Sequence, residues 1–142
     1  MLKKNMLSIG LMAFFVALIS FSSCKKDSGP SYVESVMLID SISYPDTVSI
    51  SDELPIQFYG VIGNGCDFFS RFEDVELDNS DSANTLKIKI YRKTEQDVAC
   101  TEEQKYLDNA VLKLTGMGSG DFFIKVVQPD NSYLEGKVFV KQ

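Results

Sequence analysis

The strongest constraint on the fold of this chain is a period of two in its apolar residues. From Tyr32 onward, apolar and polar side chains alternate in several short segments separated by turn-forming residues. In residues 121–127, for example, Phe122, Ile124 and Val126 share one parity. Because successive side chains of a β-strand point to opposite faces, this pattern predicts strands with one buried face.

Seven main strands follow from the alternation. They cover residues 33–40, 54–62, 68–78, 85–93, 109–114, 121–127 and 133–140. A parity shift between Phe72 and Val75 predicts a β-bulge in the third strand. Residues 46–50 are an additional candidate edge strand, and residues 95–108 could hold one helical turn. Seven short strands with turns between them predict an all-β fold, an antiparallel β-sandwich.

The first 23 residues have the parts of an export signal. A basic start at Lys3 and Lys4 precedes an apolar run over residues 6–21, and two serines follow the run. The run is shorter than the roughly 20 residues that a membrane-spanning helix needs. We therefore expect residues 1–23 to be a cleaved signal peptide, with a permanent membrane anchor as the alternative.

The end of this segment, Phe21-Ser22-Ser23-Cys24, resembles the lipobox of bacterial lipoproteins, in which an apolar residue and two small residues precede a cysteine. The resemblance implies cleavage before Cys24 and attachment of lipid to its thiol, and the alternative is an ordinary cleaved signal without lipid. Two or three acyl chains hold a protein durably at a membrane. Residues 24–31 would then be a lipidated tether and residues 32–142 the β-sandwich domain. Lys25 follows the lipid-bearing cysteine. Resemblance to lipoproteins with Lys, and not Asp, at this position implies attachment to the outer membrane, on either of its two faces.

Cys66 and Cys100 remain as an even pair once Cys24 is assigned to lipid. In an exported protein such a pair is expected to form a disulfide, with two buried thiols as the alternative. In an antiparallel sandwich, the turn that holds Cys66 and the connection that holds Cys100 emerge at the same end. A bridge that closes such a loop contributes roughly 4 kcal/mol in the chain-entropy model.

Charge and composition exclude several classes of function. All 20 acidic residues follow the signal, whereas two of the 14 basic residues lie within it. An acidic surface repels phosphate backbones, so nucleic acid is not an expected partner. The chain has no histidine, which removes the usual general base and the commonest metal ligand. We expect no enzyme, no catalytic residues, no metal and no cofactor.

Residues 73–82 are the most acidic stretch of the chain. A calcium site there would use Asp78, Asn79, Asp81 and Asn84, but their spacing does not match the calcium-binding loop of EF-hand proteins. Asp, Asn and Ser are also the usual residues of turns. We expect a solvated turn.

The last two strands predict a specific hairpin. A loop of residues 129–131 pairs the apolar positions of the two strands and sets Lys125 opposite Glu135. This register makes Phe123 and Phe139 neighbours on the outward face, with Tyr133 farther along it. Outward aromatic rings favour a partner contact. The alternative is that another segment of the chain covers them.

The strand pattern resembles an immunoglobulin-like domain, although it lacks the buried Trp of antibody domains and has its cysteines elsewhere. With the lipobox, the chain is similar to small bacterial lipoproteins. We expect a non-enzymatic, lipid-anchored cell-envelope protein that binds a protein or glycan partner. The alternatives are a structural subunit of an envelope complex and a small hydrolase built on two carboxylates.

Overall fold

The computed structural model describes residues 29–107 and 109–142. The predicted signal peptide and Cys24 lie outside the described residues. The described chain is all-β, and its strands are β1 (Tyr32–Val36), β2 (Ser41–Ser43), β3 (Thr47–Ser49), β4 (Leu54–Tyr59), β5 (Val61–Gly63), β6 (Asp67–Asp74), β7 (Thr85–Glu95), β8 (Lys105–Tyr106), β9 (Val111–Leu114), β10 (Gly120–Val127) and β11 (Tyr133–Lys141). Over these residues, no helix is both long enough and apolar enough to cross a bilayer.

The larger sheet has six strands around the long strand β7. β6 pairs antiparallel with β7 along one edge. β1 and β10 occupy the other edge: β1 is antiparallel to residues 91–95, and β10 is parallel to residues 85–88. β11 pairs antiparallel with β10, and β3 pairs parallel with the end of β11.

The remaining strands form a second layer. β4 lies between β2 and β9, and β5 pairs with β8. Two backbone hydrogen bonds link these pairs: Leu107 N donates to Gly60 O, and Phe58 N donates to Ala110 O. The ladder therefore continues from β4–β9 into β5–β8.

One hydrophobic core joins the two layers. Fully buried side chains from β7, β10 and β11 pack in the same cluster as those of β4. They include Ile88, Ile90, Ile124, Val126, Val138 and Val140 of the larger sheet and Leu54, Ile56 and Phe58 of β4. Burial of each such side chain contributes roughly 1.5–3 kcal/mol, so this shared core holds the layers together.

Gln128 fills the junction where β1 ends and β10 ends. Its Oε1 accepts a hydrogen bond from Ile39 N at 3.0 Å, and its Nε2 donates to Ile39 O at 3.1 Å. Both bonds are buried. The side-chain amide thus replaces a backbone partner for Ile39 at the gap in the ladder.

The prediction of about seven antiparallel strands needs correction, because the described chain forms more strands and two of the pairings are parallel. The first predicted strand, residues 33–40, ends at Val36. Beyond it, Met37 N donates to Ile90 O in the larger sheet, whereas Asp40 N donates to Tyr59 O in the second layer. The chain passes from one layer to the other here, with Met37 and Ile39 buried and Leu38 exposed.

Three local predictions have different outcomes. The edge strand predicted over residues 46–50 is confirmed as β3. The bulge exists, but its register shift lies between Phe69 and Arg71, three to four residues earlier than predicted. The helical turn predicted in residues 95–108 is wrong for 95–107, which hold the end of β7, a bend at residues 97–98 and the short strand β8. Gly65 N donates to Thr101 O, which keeps this connection against the neighbouring turn.

Candidate binding groove

The β10–β11 hairpin has the register that the sequence predicts. Lys125 lies opposite Glu135, and Phe123 lies opposite Lys137. Gln128 N donates to Ser132 O to close the loop, and Asn131 takes the left-handed conformation at φ 65°. Asn tolerates this conformation better than most residues, so the loop sequence suits the turn.

The outward face of this hairpin carries the three predicted contact residues at different positions. Phe123 is half-buried, and Phe139 is 50% exposed beside it, opposite Asp121. Tyr133 is exposed at the other end of β11, with its ring near the ammonium groups of Lys87 and Lys125. The structure therefore brings Phe123 and Phe139 together and leaves Tyr133 apart from them.

The acidic segment after β6 folds over the same face. Lys87 and Lys125 are neighbours in the parallel β7–β10 pairing. The Asp81 carboxylate, whose side chain is only 1% exposed, accepts hydrogen bonds from Lys87 Nζ at 3.1 Å and from Lys125 Nζ at 2.7 Å. Asp78 also accepts from Lys87 at 3.0 Å. The segment is thus clamped onto the sheet by ion pairs.

These contacts shift the pKa values of Asp78, Asp81 and Lys87. The hydrogen bond from Lys125 is the main cause that lowers the pKa of Asp81 below its usual value. Hydrogen bonds from Ser80 and then Lys87 lower the pKa of Asp78. The hydrogen bonds that Lys87 donates to Asp78 and Asp81 raise its pKa. The two carboxylates of the proposed calcium alternative therefore bind lysines, and among the described residues no group of three or more Cys, Asp or Glu is placed to hold a metal ion.

Between this segment and the hairpin lies a groove of about 550 Å³, hereafter the distal groove. Its lining residues are Tyr44, Ser80, Ser82, Thr85, Phe123, Ile124, Lys125, Glu135, Gly136 and Lys137. This volume falls within the range typical of small-ligand sites. The groove combines aromatic rings, hydroxyl groups and charged groups of both signs.

Gly136 allows one wall of the groove to form. A Cβ atom at this position would lie 2.8 Å from the ring and hydroxyl of Tyr44, closer than real contacts allow. The missing side chain lets Tyr44 lie against β11, where its hydroxyl accepts a hydrogen bond from Lys137 N at 3.2 Å. Tyr44 also caps β11 beyond the end of its pairing with β3.

Thr85 supplies an unsatisfied polar group in the groove lining. Its Oγ1 is buried and has no hydrogen-bond partner among the described residues. Thr85 is paired with Phe123 across β7 and β10. Buried hydroxyl groups usually have a partner, so Thr85 is an exception beneath the groove surface.

The predicted disulfide between Cys66 and Cys100 is confirmed, with a Cα–Cα distance of 5.2 Å. It lies at the end of the larger sheet where the chain enters, because Glu95 N donates to Cys66 O and Gln96 N donates to Ser31 O. We call this end the tether end. The distal groove lies at the opposite end, beside the first residues of β7.

Sequence reasoning identified Phe123 but missed most of the groove lining. The sequence predicts a turn at Ser80 and Ser82 and the start of a strand at Thr85. Gly136 carried a usable signal, because a glycine on the inward parity of a strand often marks close approach of another group. Tyr44, which makes that approach, carried none.

Comparison with models of known protein families, with curated protein sequences and with solved structures gives no significant match.

Proposed function

We propose that this chain is a non-enzymatic, lipid-anchored protein of the bacterial cell envelope that binds a glycan partner in the distal groove. The observation that carries the proposal is the groove itself, in which Phe123 lies beside hydroxyl and charged groups in a space of about 550 Å³. Lipid on Cys24 would supply the membrane attachment, most simply to the outer membrane.

The position of the groove suits a protein anchored at its N-terminus. Tyr32 pairs with Glu95 at the last residue of β7, whereas Phe123 pairs with Thr85 at the first. A strand rises about 3.3 Å per residue, so the two ends are roughly 30 Å apart. A domain anchored through residues 24–31 would therefore present the groove away from its membrane.

The chemistry of the lining favours a saccharide. One face of a sugar ring is apolar and can stack on the ring of Phe123, while its edge carries hydroxyl groups that donate and accept hydrogen bonds. The hydroxyl groups of Ser80 and Ser82 can bond to those hydroxyls. Glu135 and Lys137 add one acceptor of negative charge and one donor of positive charge.

The disulfide and the fold agree with an exported binding domain. A bridged cysteine pair is typical of oxidising compartments outside the cytoplasm. We infer that the two layers form an immunoglobulin-like sandwich, because they share one core and β10 and β11 form a hairpin at the centre of the larger sheet. The parallel pairings of β10 and β3 are departures from the simplest form of that fold.

The hydrolase alternative has less support in the groove. Hydrolysis of a glycoside usually needs two carboxyl groups about 5–9 Å apart across the scissile bond. Among the described residues that line the groove, Glu135 alone is acidic, and the nearby Asp81 is engaged by two lysines. The structural-subunit alternative has one observation in its favour, the exposure of Phe139 at the edge of the hairpin.

A glycan array of bacterial envelope saccharides tests the proposal. The unlipidated Cys24→Ser protein should bind a limited set of saccharides, and Phe123→Ala in the same background should weaken binding about tenfold or more, since loss of a buried ring costs roughly 1.5–3 kcal/mol. Tyr59→Ala is the matched control, because Tyr59 is an exposed aromatic residue of the second layer. Absence of saccharide binding, or equal loss in both variants, would contradict the proposal.

A further inference from the structure

The tether end carries a band of exposed aromatic side chains. Tyr32 is 42% exposed on β1, Phe68 is 38% exposed on β6, and Tyr106 is 58% exposed on β8. All three lie close to the turn and connection that the disulfide joins. Exposed rings gathered at one end of a small domain indicate a contact surface.

Two lysines alternate with these rings. Lys93 pairs with Phe68 across β6 and β7, and its Nζ lies 4.8 Å from the centre of the Tyr32 ring. Lys105 precedes Tyr106, and its Nζ lies 4.1 Å from the centre of the Phe68 ring. The resulting order, Tyr32, Lys93, Phe68, Lys105 and Tyr106, is called the tether-end band.

We propose that the tether-end band rests on the surface of the lipid bilayer, with its rings at the level of the headgroups; this inference depends on the proposed lipidation of Cys24. The described chain begins at the same end, where Gln96 N bonds to Ser31 O. The seven residues between Cys24 and Tyr32 span at most about 25 Å. A lipid on Cys24 therefore keeps this end, and not the groove, beside the membrane.

The chemistry of the band matches a bilayer interface. Aromatic side chains concentrate at the headgroup level of membranes, and a tyrosine hydroxyl can stay in water while its ring is buried. Lys93 can place its ammonium group near phosphate while its apolar stem lies along the rings, whereas Lys105 Nζ donates to Gly65 O at 2.7 Å. The Tyr106 hydroxyl already points to a polar partner, since it donates to Gln104 Oε1 at 3.2 Å.

Charge selects the kind of lipid. Asp97, Glu102 and Glu103 are exposed in the connection at the same end. These acids oppose a surface rich in anionic lipid, whereas a zwitterionic headgroup offers phosphate to Lys93 and ammonium to the acids. The bilayer that fits the band is therefore one of phosphatidylethanolamine or phosphatidylcholine.

Fluorescence quenching by brominated lipid tests this contact. The chain has no tryptophan, so the Phe68→Trp variant has a single indole as its reporter. The full-length lipidated protein, purified from membranes, is placed in phosphatidylcholine vesicles that contain brominated acyl chains. We expect the indole of the Phe68→Trp variant to be quenched several-fold more strongly than that of Phe139→Trp, the matched control at the groove end. Tyr106→Trp is the second reporter if Phe68→Trp lowers the melting temperature.

Flotation of the vesicles separates the two proposals. One outcome is that the protein floats with the vesicles while its indole at the tether end is quenched no more than the indole at position 139. In that case the lipid anchor is supported, the proposed docking on the bilayer is wrong, and a protein partner becomes the candidate occupant of the tether-end band. If the protein does not float at all, the anchor itself is wrong and the docking falls with it. Flotation with strong quenching at the tether end and weak quenching at position 139 supports both the lipid anchor and the docking.

Discussion

The carboxylate of Asp81 lies 2.7 Å from the ammonium group of Lys125, although 44 positions separate them in the chain. The same carboxylate accepts from Lys87, the in-register neighbour of Lys125 across β7 and β10. One carboxylate thus bridges two adjacent lysines that would otherwise repel each other. It also fixes the segment that carries Ser80 and Ser82 over the distal groove.

Replacement of Asp81 by Asn should lower the melting temperature by several degrees at neutral pH, because Lys87 and Lys125 lose their shared countercharge. The folded state lowers the pKa of Asp81, mainly through Lys125. An acid with a lowered pKa stabilises the fold above its unfolded value of about 3.9, and this contribution is lost as the pH falls through the folded value. The difference in melting temperature between wild type and Asp81→Asn should therefore shrink below pH 4.

Thermal unfolding followed by circular dichroism from pH 7 to pH 2 measures this difference. Asp52→Asn is the control, because Asp52 is exposed in the turn after β3 and its side chain makes no ion pair in the described structure. An Asp81→Asn effect that is no larger than the control, or that grows at low pH, contradicts the role given to Asp81.

Replacement of Gln128 by Leu should destabilise the domain. The substitution removes both hydrogen bonds to Ile39 and leaves a buried N–H and a buried C=O without partners. Each unsatisfied buried group costs about 1–3 kcal/mol, so we expect a loss of at least roughly 2 kcal/mol. Urea unfolding measures it, with Gln104→Leu as an exposed control. Equal stability of Gln128→Leu and wild type would show that the amide does not bridge β1 and β10.

Loss of the disulfide should also lower the free energy of unfolding. The bridge joins residues 34 positions apart and holds a connection with few buried side chains, so the Cys66→Ser/Cys100→Ser double variant should lose about 2–4 kcal/mol. Urea unfolding of the wild type with and without reductant gives the same comparison. A reductant that leaves the unfolding midpoint of the wild type unchanged, under conditions where both thiols are released, is inconsistent with this role.

The parts of the fold that alternation encodes could be predicted from the sequence. Parity and the three-residue loop set the β10–β11 register, because a shift of one residue would turn either Phe122 or Val138 toward solvent. The pairing of Cys66 with Cys100 followed from their even number and from strand direction. The hairpin register depends on residues that are close in the chain, and the disulfide depends on one long-range pairing.

Other parts depend on strand order, which alternation does not encode. Lys87 and Lys125 read as ordinary outward lysines until β10 is placed beside β7, and only then does Asp81 acquire its partners. Gln128 reads as the last residue before a turn, and its role arises because β1 ends beside it. The distal groove was hidden for the same reason, since Tyr44, Thr85 and Lys137 come from three separate segments.

Mass spectrometry of the N-terminus tests the central claim, attachment to the membrane through lipid, most directly. The protein would be extracted with detergent from the membranes of the cells that make it and digested, and its most apolar peptide would be analysed. We expect a mature chain that begins at Cys24 with a diacylglyceryl group on its thiol, and a Cys24→Ser variant that lacks this mass and leaves the membrane fraction or stays uncleaved. An unmodified Cys24 in the native protein would contradict the account.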